Sequence, residues 1–184
     1  MVKINTHKQT QKLMILSLMI ALDVVLSPIL RIEGMAPMSS VINIIAASFM
    51  SPLYTFLMAL ICGIIRMLMM GIPPLALTGA VFGALFAGFG YWKTRNFWAA
   101  ALGEFIGTGV VGSLLSYPVM VWFTGVKTDL HWLIYTPRFM GACVMGAIAA
   151  FVLYERLNKL SAFHRMQQLF LTDNERVLSS QNGR

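Results

Sequence analysis

Residues Ala99–Pro118 read AAALGEFIGTGVVGSLLSYP, an apolar run of about 20 residues, long enough to cross a bilayer core as a helix at ~1.5 Å per residue. The run contains one acid, Glu104, and a ladder of small residues: Gly103, Gly107, Gly109, Gly112, Ser113 and Ser116. A carboxylate inside a membrane span is costly unless it meets a partner or a wet cavity, so it marks a functional site by default. Small residues four apart let helices approach closely, which is how bundles pack when lipid is the solvent. Gly107 to Gly112 also matches the GxGxxG pattern of dinucleotide sites. That pattern needs a strand before it and a helix N-terminus after it, whereas here it lies mid-segment in an apolar run. Nucleotide binding is therefore not expected.

The remainder of the chain agrees with a membrane setting. Of 184 residues, 58% are hydrophobic and 11% charged, against about 25% charged in soluble domains. The pattern predicts an all-α integral membrane protein, a bundle of six transmembrane helices in one domain. Spans are expected at about 13–30, 38–50, 53–70, 75–92, 97–123 and 131–154, with the second one short. A polar lead occupies 1–12, the helical domain 13–155, and a basic tail 156–184. In the tail, Leu157, Leu160, Phe163, Met166 and Phe170 recur at helical spacing. They predict an amphipathic helix lying along the inner membrane surface.

Charge sets the topology. Lys3, Lys8, Lys12, Lys93, Arg95, Arg156, Lys159 and Arg165 fall on one side if the N-terminus is cytoplasmic, while Arg31 and Lys127 fall on the other. Both termini basic means an even number of spans, with both ends in the cytoplasm. The net charge of +7 reflects this distribution, and no nucleic-acid partner is needed to explain it. Cys62 and Cys143 fall within spans and read as small core residues.

Four charges lie within the spans: Asp23, Arg66, Glu104 and Arg138. Counted from the inner side, Asp23 lies ~15 Å deep and Arg66 ~20 Å, close enough to pair. Such a pair either fixes helix register or leaves Arg66 available to a ligand. On a straight helix Glu104, Thr108 and Leu115 share one face. Asn43 is placed either to bond a neighbouring helix or to meet a ligand. Trp122 and Trp132 suit an interfacial belt, Tyr117 less so. The histidines, His7, His131 and His164, make no metal spacing with the cysteines, and no nucleophile elbow or carboxylate pair is present. No enzyme activity and no cofactor are expected of this chain.

With these residues laid out, the sequence resembles the substrate-binding S components of energy-coupling-factor vitamin transporters, and within them the ThiW type, linked to the thiazole precursor of thiamine. The resemblance rests on ALDVVLSP (21–28), PMSSVINIIAA (37–47), the Arg66 region, GAVFGALFAG (79–88) and AALGEFIGTGVVGSLLSYPV (100–119). It implies six helices, cytoplasmic termini in the cell membrane, and a pocket opening outward. It also implies a transmembrane coupling subunit and two ATPase subunits as partners, with ATP consumed there. Ser17 and Ala21 would form the small-residue pair that packs on the coupling subunit, with serine where alanine is usual. At Leu77-Thr78-Gly79-Ala80 the chain departs from the Pro-Gly-Ser-like segment expected. A pyrimidine precursor or a pyridoxine-type ring therefore stands beside the thiazole as ligand. Met38, Asn43, Arg66, Glu104, Thr108 and Tyr117 are the candidate substrate-binding residues. Two other classes stay open: a non-transporting structural subunit of a membrane complex, and a stand-alone facilitator.

Overall fold

The computed structural model describes residues 6–29, 36–125, 133 and 135–170. The expected loop residues Arg31 and Lys127 lie outside this set, as do His131 and Trp132 at the start of the sixth expected span and the last fourteen positions of the tail. Every regular element among the described residues is helical. They are α1 (Thr6–Ile29), α2 (Pro37–Ala47), α3 (Pro52–Met70), α4 (Leu75–Thr94), α5 (Phe97–Glu104), a π-helical segment (Phe105–Gly112), α6 (Ser113–Thr124) and α7 (Thr136–Leu157). An eighth helix, α8, covers 161–170.

Five helices are long and apolar enough to cross a membrane, with α5, the π segment and α6 forming one of them over Phe97–Phe123. The exception is α2. Its 11 residues span only ~16 Å, about half a hydrocarbon core. It is buried continuously from Ser39 to Ala47. A helix buried all round belongs to the interior, and α2 sits against α7, α4 and α1. Proline in the first turn opens α2, α3 and α7, where the missing N–H has no intrahelical partner to lose.

At the centre of the bundle, α4 packs on α3, α2 and the whole rod from α5 to α6. The small-residue ladder explains the last of these contacts. A Cβ at Gly103 would strike the carbonyl oxygen of Phe86, and one at Gly107 would strike that of Phe82. Backbone meets backbone there, and any larger residue would force the helices apart. Outward-facing Leu18, Leu68, Met69, Trp98, Trp122 and Ile148 are exposed, as suits side chains whose solvent is lipid.

The amphipathic helix expected in the tail is present as α8, and it closes one end of the bundle. Phe163 and Phe170 are 1% and 2% exposed and meet Phe49 edge-on at 5.7 and 6.4 Å. Gln167 Nε2 donates to the Ser48 carbonyl at 3.0 Å and to Tyr91 Oη at 3.2 Å. Lys12 Nζ lies 5.7 Å from the Phe170 ring centroid. Phe163 and Phe170 of the apolar stripe are thus buried against the protein, where Phe49 and Tyr54 present aromatic side chains of their own, while Leu160 stays exposed.

Candidate functional site: a charged cavity at the far end of the bundle

The opposite end of the bundle holds a partly open cavity. Its polar lining comes from Ser27 of α1, Ser39 and Ser40 of α2, Arg66 of α3, Glu104 of α5 and Thr108 of the π segment. Pro28, Ile72, Leu75, Ala76, Phe139 and Ala142 supply apolar wall, and exposed Arg138 stands on α7 at the rim. Convergent polar groups in an apolar concavity are the usual form of a small-molecule site.

Two networks hold the polar groups. In the first, Glu104 is 1% exposed and accepts from Asn43 Nδ2, 3.3 Å from each carboxylate oxygen. Asn43 Nδ2 also lies 3.2 Å from the Ala80 carbonyl. The Thr108 hydroxyl is 2.8 Å from Glu104 Oε1 and 2.9 Å from the Gly79 carbonyl. With one proton it donates to one of the two at a time. The network ties α2, α4 and the rod from α5 to α6 together around the carboxylate. Gly83 leaves room for it: a Cβ there would strike Thr108 Oγ1 and come within 2.5 Å of Glu104 Oε2.

The second network joins α1 to α3. Arg66 is 3% exposed, and its Nη1 donates to Ser27 Oγ and lies 3.9 Å from Asp23 Oδ1. Ser27 Oγ in turn donates to the Asp23 carbonyl at 2.9 Å, and Cys62 and Ser39 flank the Asp23 side chain. The pairing of Asp23 with Arg66 expected from their depths is present. Arg66 Nε and Nη2 are buried with no hydrogen-bond partner among the described residues.

The expected site residues divide. Arg66, Glu104 and Thr108 line one cavity. Asn43 lies behind it, fully buried against Glu104. Met38 packs on the hydrophobic core and Tyr117 is half-buried, and neither is among the lining residues. Leu115 does not share the face of Glu104 and Thr108, since it is 37% exposed while they are 1% and 8%. The reason is the π segment between them: its wider turn shifts the helix phase, so offsets computed at 3.6 residues per turn fail beyond Thr108. Ser27, Ser39, Ser40 and Arg138 were absent from the expected set. The signal for Ser27 and Ser39 was spacing, each four residues from a polar position already singled out, Asp23 and Asn43.

Ser17 and Ala21 both face outward on α1, beside Leu18 and Leu22. Cys62 and Cys143 are buried and unpaired with each other. The GxGxxG match lies inside the π segment, without a strand before it.

No curated protein and no solved structure gives a significant match to the chain. A family profile does: that described as thiamine-precursor transporter protein (ThiW), over residues 13–160, which takes in both polar networks, α1 from Leu13 onward and the other four long helices whole. With most of its length matched, and with five helices apolar enough to span a bilayer, this multi-pass membrane protein belongs to the ThiW family of thiamine-precursor transporters.

Proposed function

We propose that the chain is the substrate-capture subunit of an energy-coupling-factor importer, and that its ligand is the hydroxyethylthiazole precursor of thiamine. The observation that carries the reading is the cavity that places buried Arg66 and Glu104 among apolar walls. A small neutral heteroaromatic alcohol matches that arrangement. Its ring lies against Phe139, Pro28 and Leu75, its ring nitrogen accepts from Arg66, and its hydroxyl donates to Glu104. Thr108 and Asn43 hold the Glu104 carboxylate in place. In this reading α2 completes a six-span topology in the plasma membrane, both termini are cytoplasmic, and the cavity opens outward.

The outward face of α1 around Ser17 and Ala21 supports docking of a transmembrane coupling subunit, since two small residues one turn apart admit a close helix. Two ATPase subunits supply the energy, and this chain needs no cofactor. A second reading keeps the role and changes the ring to hydroxymethylpyrimidine or a pyridoxine-type vitamin. It is favoured by one observation: Gly79 and Ala80, within the segment that departs from the ThiW pattern, line the cavity.

The test is uptake of labelled hydroxyethylthiazole by cells expressing the chain with its coupling module. Uptake should require the chain and disappear when the ATPase nucleotide-site lysines are replaced. Unlabelled pyrimidine and pyridoxine rings should compete less well than unlabelled thiazole. Uptake that persists with inactive ATPases would overturn the coupled mechanism, and stronger competition by another ring would move the assignment to that ring.

A further inference from the structure

Arg66 uses little of its hydrogen-bonding capacity. A guanidinium carries five N–H donors in one rigid plane. Nη1 serves Ser27 and faces Asp23, whereas Nε and Nη2 are buried without a partner among the described residues. Nε–H and one Nη2–H are parallel. Together they form the side-on edge of the guanidinium that grips both oxygens of a carboxylate at once. Arg66 is itself one of the residues that line the cavity. Leaving buried donors unsatisfied is costly. A lone ring nitrogen or hydroxyl would satisfy one of the two parallel donors and leave the other empty.

The surrounding charges fit a two-oxygen acceptor. Glu104 does not occupy the edge, because its oxygens are held by Asn43 and Thr108. Asp23 balances Arg66 from the Nη1 side. Arg138 at the rim brings a second positive charge to the same cavity. Ser39 also lines the cavity, and its hydroxyl makes no hydrogen bond of good geometry.

We infer that the site prefers a precursor ring that carries a carboxylate, gripped on the Nε and Nη2 edge of Arg66 and covered by Arg138 at the mouth. The inference rests on the thiamine-precursor reading and refines its substrate class. Arg66 and Arg138 then select for a planar anion, while Glu104 reads the hydroxyl at the other end of the ligand.

Calorimetric titration of the purified full chain in lipid nanodiscs tests it with two probes, hydroxyethylthiazole and the same ring with a carboxylate in place of a ring hydrogen. The carboxylate should bind about tenfold or more tightly, since charge-assisted paired bonds are roughly twice as strong as neutral ones. Arg66→Lys keeps the charge and loses the fork, so the gap between probes should shrink to about threefold or less. Arg138→Gln, at an exposed position, should narrow the gap between the two probes about threefold or more. If Arg66→Lys fails to fold, the wild-type comparison and Arg138→Gln still decide. A neutral probe that binds as tightly as the carboxylate, or more so, overturns the inference and leaves the thiazole reading standing. Failure of both probes overturns the reading and the inference together.

Discussion

Glu104→Gln separates a ligand-binding carboxylate from one that only fixes helix register. In the native chain the carboxylate accepts from Asn43 Nδ2 at 3.3 Å and from Thr108 Oγ1 at 2.8 Å. The amide of glutamine has the same shape, with one acceptor oxygen and one donor nitrogen. Its oxygen can still accept from Asn43. Its nitrogen can donate to Thr108 Oγ1, whose own proton then goes to the Gly79 carbonyl 2.9 Å away. The groups bonded to the carboxylate in the native chain keep a partner, so folding stability should change by less than about 1 kcal/mol. The ligand hydroxyl, however, loses its bond to a charged acceptor. Such bonds are worth about 1.5–3 kcal/mol, so affinity for hydroxyethylthiazole should fall roughly tenfold to a hundredfold. Titration calorimetry reads the affinity, and thermal unfolding of the ligand-free chain reads the stability. Unchanged affinity would refute the reasoning, as would a large loss of stability with affinity intact, and Glu104 would then be a register residue.

Other perturbations follow from the same geometry. Gly83→Ala places a methyl against Thr108 Oγ1 and Glu104 Oε2, so binding should weaken about tenfold or more while the helical content by circular dichroism is kept. Phe163→Ala empties a site 1% exposed at the opposite end. It should cost about 3–5 kcal/mol in unfolding experiments and leave ligand affinity within about threefold. Ser17→Leu with Ala21→Leu should abolish cellular uptake yet leave binding by the isolated chain within about threefold; parallel loss of both would place the pair in the fold. Cysteines introduced at Asn5, Thr94 and Glu175 should resist an impermeant thiol reagent in intact cells, and those at Gly34 and Lys127 should react. Native Cys62 and Cys143, 0% and 2% exposed, add little background. A reactive position 175 with a shielded position 34 would contradict the six-span topology.

The parts of this molecule that could be read from its sequence are those that depend on composition and on a regular helical rise. Depth along a span needs only 1.5 Å per residue, so Asp23 and Arg66 could be matched before their helices were seen to meet. The glycine ladder announced a close helix, and Phe82 and Phe86 of α4 are where it meets one. What failed was phase and partner choice. Eight residues of π-helix rotate Leu115 outward, and nothing in the run Phe105–Gly112 distinguishes a π turn from an α turn by hydrophobic pattern. The stripe Phe163 to Phe170 is amphipathic whether it faces lipid or protein, so only the aromatic floor formed by Phe49 and Tyr54 decides between them. Met38 and Tyr117, expected to close the loop side and to bond the ligand, are not among the residues that line the cavity, whose wall includes serines of α1 and α2 and Arg138.

The central claim is that a thiamine-precursor ring occupies the cavity bounded by Arg66 and Glu104. Ala36, half-buried on the cavity lining, gives the most direct test. In the Ala36→Cys chain, purified in nanodiscs, the rate of labelling by a small maleimide should fall about tenfold or more at saturating hydroxyethylthiazole. The protection should vanish when Arg66→Ala is added. Equal labelling rates with and without the ring, under conditions where calorimetry shows it bound, would place the ligand elsewhere and contradict the account.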